Sequence, residues 1–293
     1  LPYDVQKEAS MTAPTVRRRR LGAELRRLRE AAGLKLEDVE TRTGITSSTL
    51  SRIETARTGV KVADAERLLD LYAVEDVAKR AVMLGLARDG ARRGWWQTYR
   101  DTITPAYADL ISLEADASSL RTWQTTLIPG LLQTSAYARV TIGALDPTAT
   151  PDAVNSRVEV RMARQSVLTR PNPLEVWAIV HEAALRTRIA NTTIMRDQLQ
   201  RLLDVAELPH VSIQVLPLEA SPHQGASGPF AVLGFPESAD LDVVLLESLT
   251  TALYVEDSAE VVVYGGAFER LRAEALSFDD SADLINKLKD TPK

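Results

Sequence analysis

A hydroxyl-rich stretch carrying one guanidinium, Thr46, Ser47, Ser48, Thr49, Ser51 and Arg52, is interleaved with Leu50 and Ile53. On a helix, Leu50 and Ile53 share an inward face, and Ser47, Ser48, Ser51 and Arg52 line the outward one. Serine and threonine hydroxyls bond phosphates or base edges, and arginine is the preferred bidentate partner of guanine, so this face has the chemistry of duplex-DNA readout. Arg52 is the expected base reader, with Ser47, Ser48 and Ser51 beside it. Arg19, Arg26, Thr46, Thr49 and Arg57 are the expected contacts to the DNA backbone. Thr46 stands where its hydroxyl caps the first amides of such a helix.

What must position that face lies immediately upstream. Leu36 to Thr43 reads as a short helix with Leu36 and Val39 facing in, and Gly44 follows where a left-handed turn residue is required. Two short helices across a glycine-containing turn have the spacing of a helix-turn-helix, whose second helix enters the major groove. An unrelated helical hairpin has the same spacing, and it is the residue types that favour DNA. Around this pair the periodicity predicts a basic amphipathic helix from Val16 towards Gly33, a fourth helix over Val62 to Tyr72, with Ala65, Leu68, Leu69 and Tyr72 as its stripe, and a fifth over Val77 to Leu86.

The charge is divided in the same way. The 293 residues carry a net charge of −5. Residues 17–100 hold 19 Lys and Arg against 12 Asp and Glu, net +7, whereas residues 101–293 are net −11. A basic head on an acidic body fits a nucleic-acid-binding module joined to a non-binding one, although solvated helix faces produce similar asymmetries. The polar stretch 88–94 is the expected linker, giving a head at 17–87, a body at 95–293, and a disordered extension at 1–16 whose first ten residues precede a candidate start at Met11.

In the body the sequence predicts helices over Ala106 to Leu120, through Tyr137 and Ile142, over Asp152 to Leu168, around Glu182 to Ile189, over Thr193 to Ala206, and over Ala259 to Ala275 and Asp279 to Leu288. Short apolar runs bounded by Pro and Gly predict strands at Leu174 to Val180, Val211 to Leu216, Phe230 to Phe235, Val243 to Leu246 and Ala252 to Val255. The last three are so close in sequence that an antiparallel meander is expected. The fold class is therefore mainly α, a five-helix head followed by a larger α+β part with a mostly antiparallel sheet.

Other chemistries find little support. The chain has no cysteine, which excludes disulfides, thiolate metal sites and a cysteine nucleophile and accords with a cytoplasmic setting. His181 and Glu182 begin an HExxH zinc motif, but the fifth position is Leu185. There is no GxGxxG, phosphate loop or nucleophile elbow. The glycine-containing loop Ser221 to Pro229 reads as a connection, and Trp95, Trp96, Trp123 and Trp177 as packing. Arg157, Arg161 and Arg164 recur at spacings of four and three, a row suited either to an acidic partner or to local ion pairs. No catalytic residue, cofactor, metal or membrane partner is expected.

The segment Leu21 to Val74, above all GITSSTLSRIE at Gly44 to Glu54, resembles the Xre-type helix-turn-helix of phage repressors and their bacterial relatives. That resemblance implies a five-helix, lambda-repressor-like DNA-binding domain whose third helix reads the groove through Ser47, Ser48 and Arg52. Two positions depart from the pattern: Glu40 stands where a small alanine is usual, and Ala56 where glycine is usual. The remainder resembles the C-terminal domain of actinobacterial antitoxin-like regulators, through LIPGLLQTSAYAR at Leu127 to Arg139, RVEVRMARQ at Arg157 to Gln165, SGPFAVLGFPE at Ser227 to Glu237 and AFERLRAEALS at Ala267 to Ser277. It implies a transcriptional regulator, often encoded beside a small partner protein. Three functions fit: a regulator that binds double-stranded DNA, as a homodimer on a pseudo-palindromic operator; an antitoxin-like protein that restrains a small partner; and a sensor whose body binds a small molecule.

Overall fold

Thr15 accepts a bond from the Arg18 backbone N–H at 3.3 Å and opens α1 (Val16–Ala31). After it come α2 (Leu36–Thr43), α3 (Ser47–Glu54), α4 (Val62–Leu71) and α5 (Val77–Asp89). In this computed structural model, residues 15–89, 95–99, 101–189, 191–235, 242–249 and 251–290 are described. They fall into two units that divide between Arg93 and Gly94. Most of the expected linker, 90–94, and nearly all of the expected extension, 1–14, lie outside the described residues. Arg88 forms part of the last turn of α5 instead.

The head is built by the apolar stripes the sequence displays. Leu25 of α1, Leu50 of α3, Leu68 and Leu69 of α4 and Met83 of α5 are fully buried in one cluster, each contributing about 1.5–3 kcal/mol of transfer free energy. Glycine supplies the left-handed residue after α1 and α2, at Gly33 (φ 68°) and Gly44 (φ 72°). After α3 and α4 alanine takes that conformation, at Ala56 (φ 59°) and Ala73 (φ 52°), where its β-carbon is crowded.

In the second unit a 3₁₀ turn, Trp95–Tyr99, precedes α6 (Pro105–Asp116), which is capped by Thr104 and started by a proline that needs no amide partner. There follow β1 (Ser119–Gln124), α7 (Ser135–Leu145), α8 (Pro151–Arg164), β2 (Glu175–His181), α9 (Glu182–Leu185), α10 (Thr192–Ala206) and β3 (Val211–Leu216). Next are β4 (Phe230–Gly234), β5 (Val243–Glu247), β6 (Ala252–Val255), α11 (Ser258–Glu274) and α12 (Phe278–Asp290). The strands form one sheet in the order β3-β2-β1-β4-β5-β6. Strands β1, β2 and β3 are parallel, joined by helical crossovers, while β4, β5 and β6 form the expected antiparallel meander on the other side of β1. The fold is thus a helical head and an α+β domain with a mixed, mostly antiparallel sheet.

Three body elements differ from expectation. The predicted helix through Leu120 ends at Asp116, and Leu120 lies in β1. This is the central strand, and its buried residues fall on both faces, at Leu120, Thr122 and Trp123, so no clean alternation marks it. The helix expected to reach Leu168 ends at Arg164 and tightens into a 3₁₀ turn, Gln165–Leu168. The helix expected to reach Ile189 is the single turn of α9.

One face of the sheet packs Trp123, Phe230, Val232 and Val244 against Phe268 and Leu271 of α11. Across the other face runs an ion pair from Arg164 Nε to Glu114 Oε2 at 2.6 Å, with side chains only 8% and 1% exposed. Arg164 Nη1 also donates to the Tyr107 hydroxyl at 2.8 Å. Burial pushes the Glu114 carboxyl up against the pull of Arg164, so the pair is costly to desolvate and costlier to halve. Arg164→Met alone is expected to destabilise the chain by roughly 3–5 kcal/mol in urea unfolding, and adding Glu114→Leu to recover most of that loss. A double variant no better than the single one contradicts this account.

Candidate nucleic-acid interface

Helix α3 is short, so what it presents depends on how it is held. Its start is fixed twice. Thr46 accepts from the Thr49 N–H at 3.2 Å, and the Glu40 carboxylate on α2 accepts both the Ser47 N–H at 2.9 Å and the Ser47 hydroxyl at 2.6 Å. At the position where the resemblance expects alanine, Glu40 therefore clamps the free amide end of α3. The Ser47 bonds hold the Glu40 carboxyl below the usual carboxylate range.

Its end is fixed by charge. Arg29 of α1 donates through Nε and Nη2 to the two carboxylate oxygens of Glu54, at 2.7 and 2.9 Å, and through Nη1 to the Leu34 carbonyl at 2.8 Å. The guanidinium and the carboxylate are 11% and 5% exposed, and this two-pronged geometry holds α3 in one orientation. At this same end, α1 crosses α3 at Gly22. A β-carbon there would collide with the carbonyl oxygens of Ile53 and, at 2.9 Å, Glu54, so only glycine allows this approach.

On the outer side, Ser48 and Arg52 are exposed and one helical turn apart, opposite buried Leu50 and Ile53. Neither side chain has a hydrogen bond or ion pair among the described residues. Ser51 is half-buried, and its carbonyl accepts from Thr55 at 2.7 Å. Ser47 lies at the helix start, but its hydroxyl is spent on Glu40, which sets it apart from the readers the sequence suggested. Thr49 is half-buried, and its hydroxyl accepts from the Thr46 hydroxyl at 2.9 Å.

The expected backbone contacts are dispersed. Arg57 is exposed just beyond α3 with no ion pair among the described residues, and so are Arg42 at the end of α2, Lys61 and Arg18. Arg19 is half-buried. Arg26 is exposed but bonds Glu30 at 2.8 Å, a surface pair that a phosphate can exchange at little cost. Much of the arginine of α1 is structural: Arg17 and Arg20 are buried, Arg29 serves Glu54, and Arg27 binds Glu24 at 2.7 Å. Burial alone would raise the Glu24 carboxyl, but bonds from Arg27 and from Lys79 of α5 outweigh it and hold it low. Sequence reading did not find the three anchors, Gly22, Glu54 and the Glu40–Ser47 clamp. Glu40 alone carried a signal, as a departure from the pattern.

Two outcomes follow. Gly22→Ala should destabilise the head by roughly 1–3 kcal/mol, as overpacking does, measured by thermal unfolding. An unchanged midpoint would contradict the close crossing. Because the folded-state pKa of Glu40 is depressed, its contribution is complete above the ordinary carboxylate range and is lost as pH falls through the folded value. Unfolding midpoints of the wild type and Glu40→Ala should therefore differ at pH 7 and converge as pH drops below about 4; a gap independent of pH would remove the clamp.

Two known families match separate parts of the chain. Residues 20–83, spanning most of α1 to α5, match a helix-turn-helix domain family. Residues 107–287, more than half of the chain, match a family described as a domain of unknown function, DUF5753. No curated protein and no solved structure matches the chain. The chain belongs to the DUF5753 domain family, with a helix-turn-helix domain preceding it.

Proposed function

We propose that this protein is a sequence-specific, DNA-binding transcriptional regulator that reads the major groove with α3 and acts by binding rather than by catalysis. The observation that carries this reading is the outer face of α3. Ser48 and Arg52 stand exposed and uncommitted on a helix whose start is clamped by Glu40 and whose end is tied to α1 at Gly22 and Arg29. A base reader must be held rigidly while leaving its own donors free, and Arg52 meets both conditions. Ser51 and Thr46 border the same face, and Arg57, Arg42 and Lys61 supply the phosphate-binding charge around it.

Such a helix spans only a few base pairs. The regulator is therefore proposed to act as a homodimer on a pseudo-palindromic operator, with half-site centres about one helical turn apart, in the cytoplasm. Among the described residues no helix is long and apolar enough to cross a membrane.

Selection from a random duplex pool separates the roles. Arg52→Ala is expected to lose preference at one base position of each half-site, at a cost of about 1–3 kcal/mol on the best site. Arg57→Ala should weaken all sites alike and lower the salt slope by about one unit. An Arg52→Ala protein that selects the same sites as the wild type would refute the assignment of α3.

A further inference from the structure

The two faces of the sheet are finished differently. The α11 side is an apolar core, whereas the side covered by α6 and α8 carries a partly open cavity of about 170 Å³ spanning β1, β4 and β5. Its sheet wall is small and mixed: Leu120, Thr122 and Gln124 project from alternate positions of β1, Ala231 pairs with Thr122 across β4, and Leu245 pairs with Ala231 across β5. Its helix wall carries the Arg164–Glu114 pair, Tyr107 and, a turn before Arg164 on α8, Arg161. At the rim lie exposed Leu145 and Glu247.

Three features distinguish this space from loose packing. First, its volume is close to the roughly 150 Å³ of an engineered cavity that takes up benzene, yet polar groups converge on it, the combination that marks ligand pockets. Second, the carboxylate of Glu114 is already matched by Arg164 at 2.6 Å, leaving Arg161 as the cation of the cavity not matched by an acid. Third, Arg161 is only partly used. Its Nη1 donates to Gln133 Oε1 at 2.9 Å, which fixes the guanidinium plane, but its Nε is buried without a partner, and no bond of Nη2 is present among the described residues. The Nε–Nη2 edge, which makes no bond to the described residues, is the one that receives a carboxylate with two parallel bonds, and a buried donor left unmade is costly.

We infer that this cavity binds a small organic monocarboxylate, its carboxylate on the Nε–Nη2 edge of Arg161 and its apolar body, about the size of a benzene ring, against Leu120, Ala231 and Leu245. The site lies wholly within the second unit and does not depend on the DNA-reading assignment of α3.

The test is thermal unfolding of the full-length protein, followed by titration calorimetry, with aliphatic and aromatic monocarboxylic acids of five to ten non-hydrogen atoms. The amide of each skeleton serves as its neutral control. At least one acid should raise Tm in a concentration-dependent manner, while its amide does not. Arg161→Met, which keeps the apolar stem, should weaken that acid at least tenfold. Ala231→Leu, which fills the cavity from the sheet side and leaves Arg161 intact, should abolish the same shift, so the inference stays exposed if either variant folds poorly. No shift by any acid, equal shifts by acid and amide, or undiminished binding by a folded Arg161→Met or Ala231→Leu protein would each overturn it.

Discussion

The close crossing of α1 over α3 at Gly22 is the contact on which the head depends. Helix α3 has eight residues, too few to be stable alone, and only Leu50 and Ile53 bury on its inner side. Its orientation is therefore imposed from outside, by backbone approaching backbone where no side chain intervenes and by the Arg29–Glu54 pair at its end. A displacement of the crossing by one β-carbon would tilt the whole outer face, because nothing on that face holds itself in place. The arginine-rich α1 is accordingly less a phosphate-binding surface than a brace: Arg27 and Arg29 serve acids of the head, Arg17 and Arg20 are buried, and the freer cations lie around α3 and its flanks.

In the body the corresponding constraint is charge buried against a sheet. Parallel crossovers place helices on the β1–β2–β3 side, and the antiparallel meander extends the sheet from β1. The apolar side closes around Trp123, whose indole N–H bonds the Gly225 carbonyl at 2.9 Å in a buried site, and Gly225 has no room for a β-carbon there. The loop from Ser221 to Pro229 is thus tied to the core rather than a free connection. The opposite side keeps an ion pair and an arginine where hydrocarbon would be more stable.

The sequence was most informative where a residue does one local task. Gly44, the Thr46 cap, the inward Leu50 and Ile53, and the strands at Val211–Leu216 and Ala252–Val255 were all readable, because left-handed turns, capping hydroxyls and hydrophobic period are properties of adjacent residues. What escaped depends on residues far apart in the chain. Gly22 looks like an ordinary weak point in a helix until Ile53 is placed beside it, and Arg29 looks like part of a basic run until Glu54 arrives. Strand β1 is hidden because a central strand buries residues on both faces, and the sequence places Ser47 among the readers because nothing local shows that its hydroxyl bonds Glu40. Of the outward residues, Ser48 and Arg52 were legible as a pair, since exposure at a spacing of four follows from period alone.

Sequence reading by α3 is settled by selecting genomic fragments with the purified full-length protein at two salt concentrations. A pseudo-palindromic site with half-site centres about 10 base pairs apart is expected, retained at the higher salt. Recovery without sequence preference, falling uniformly as salt rises, would contradict it and reduce the head to an electrostatic tether.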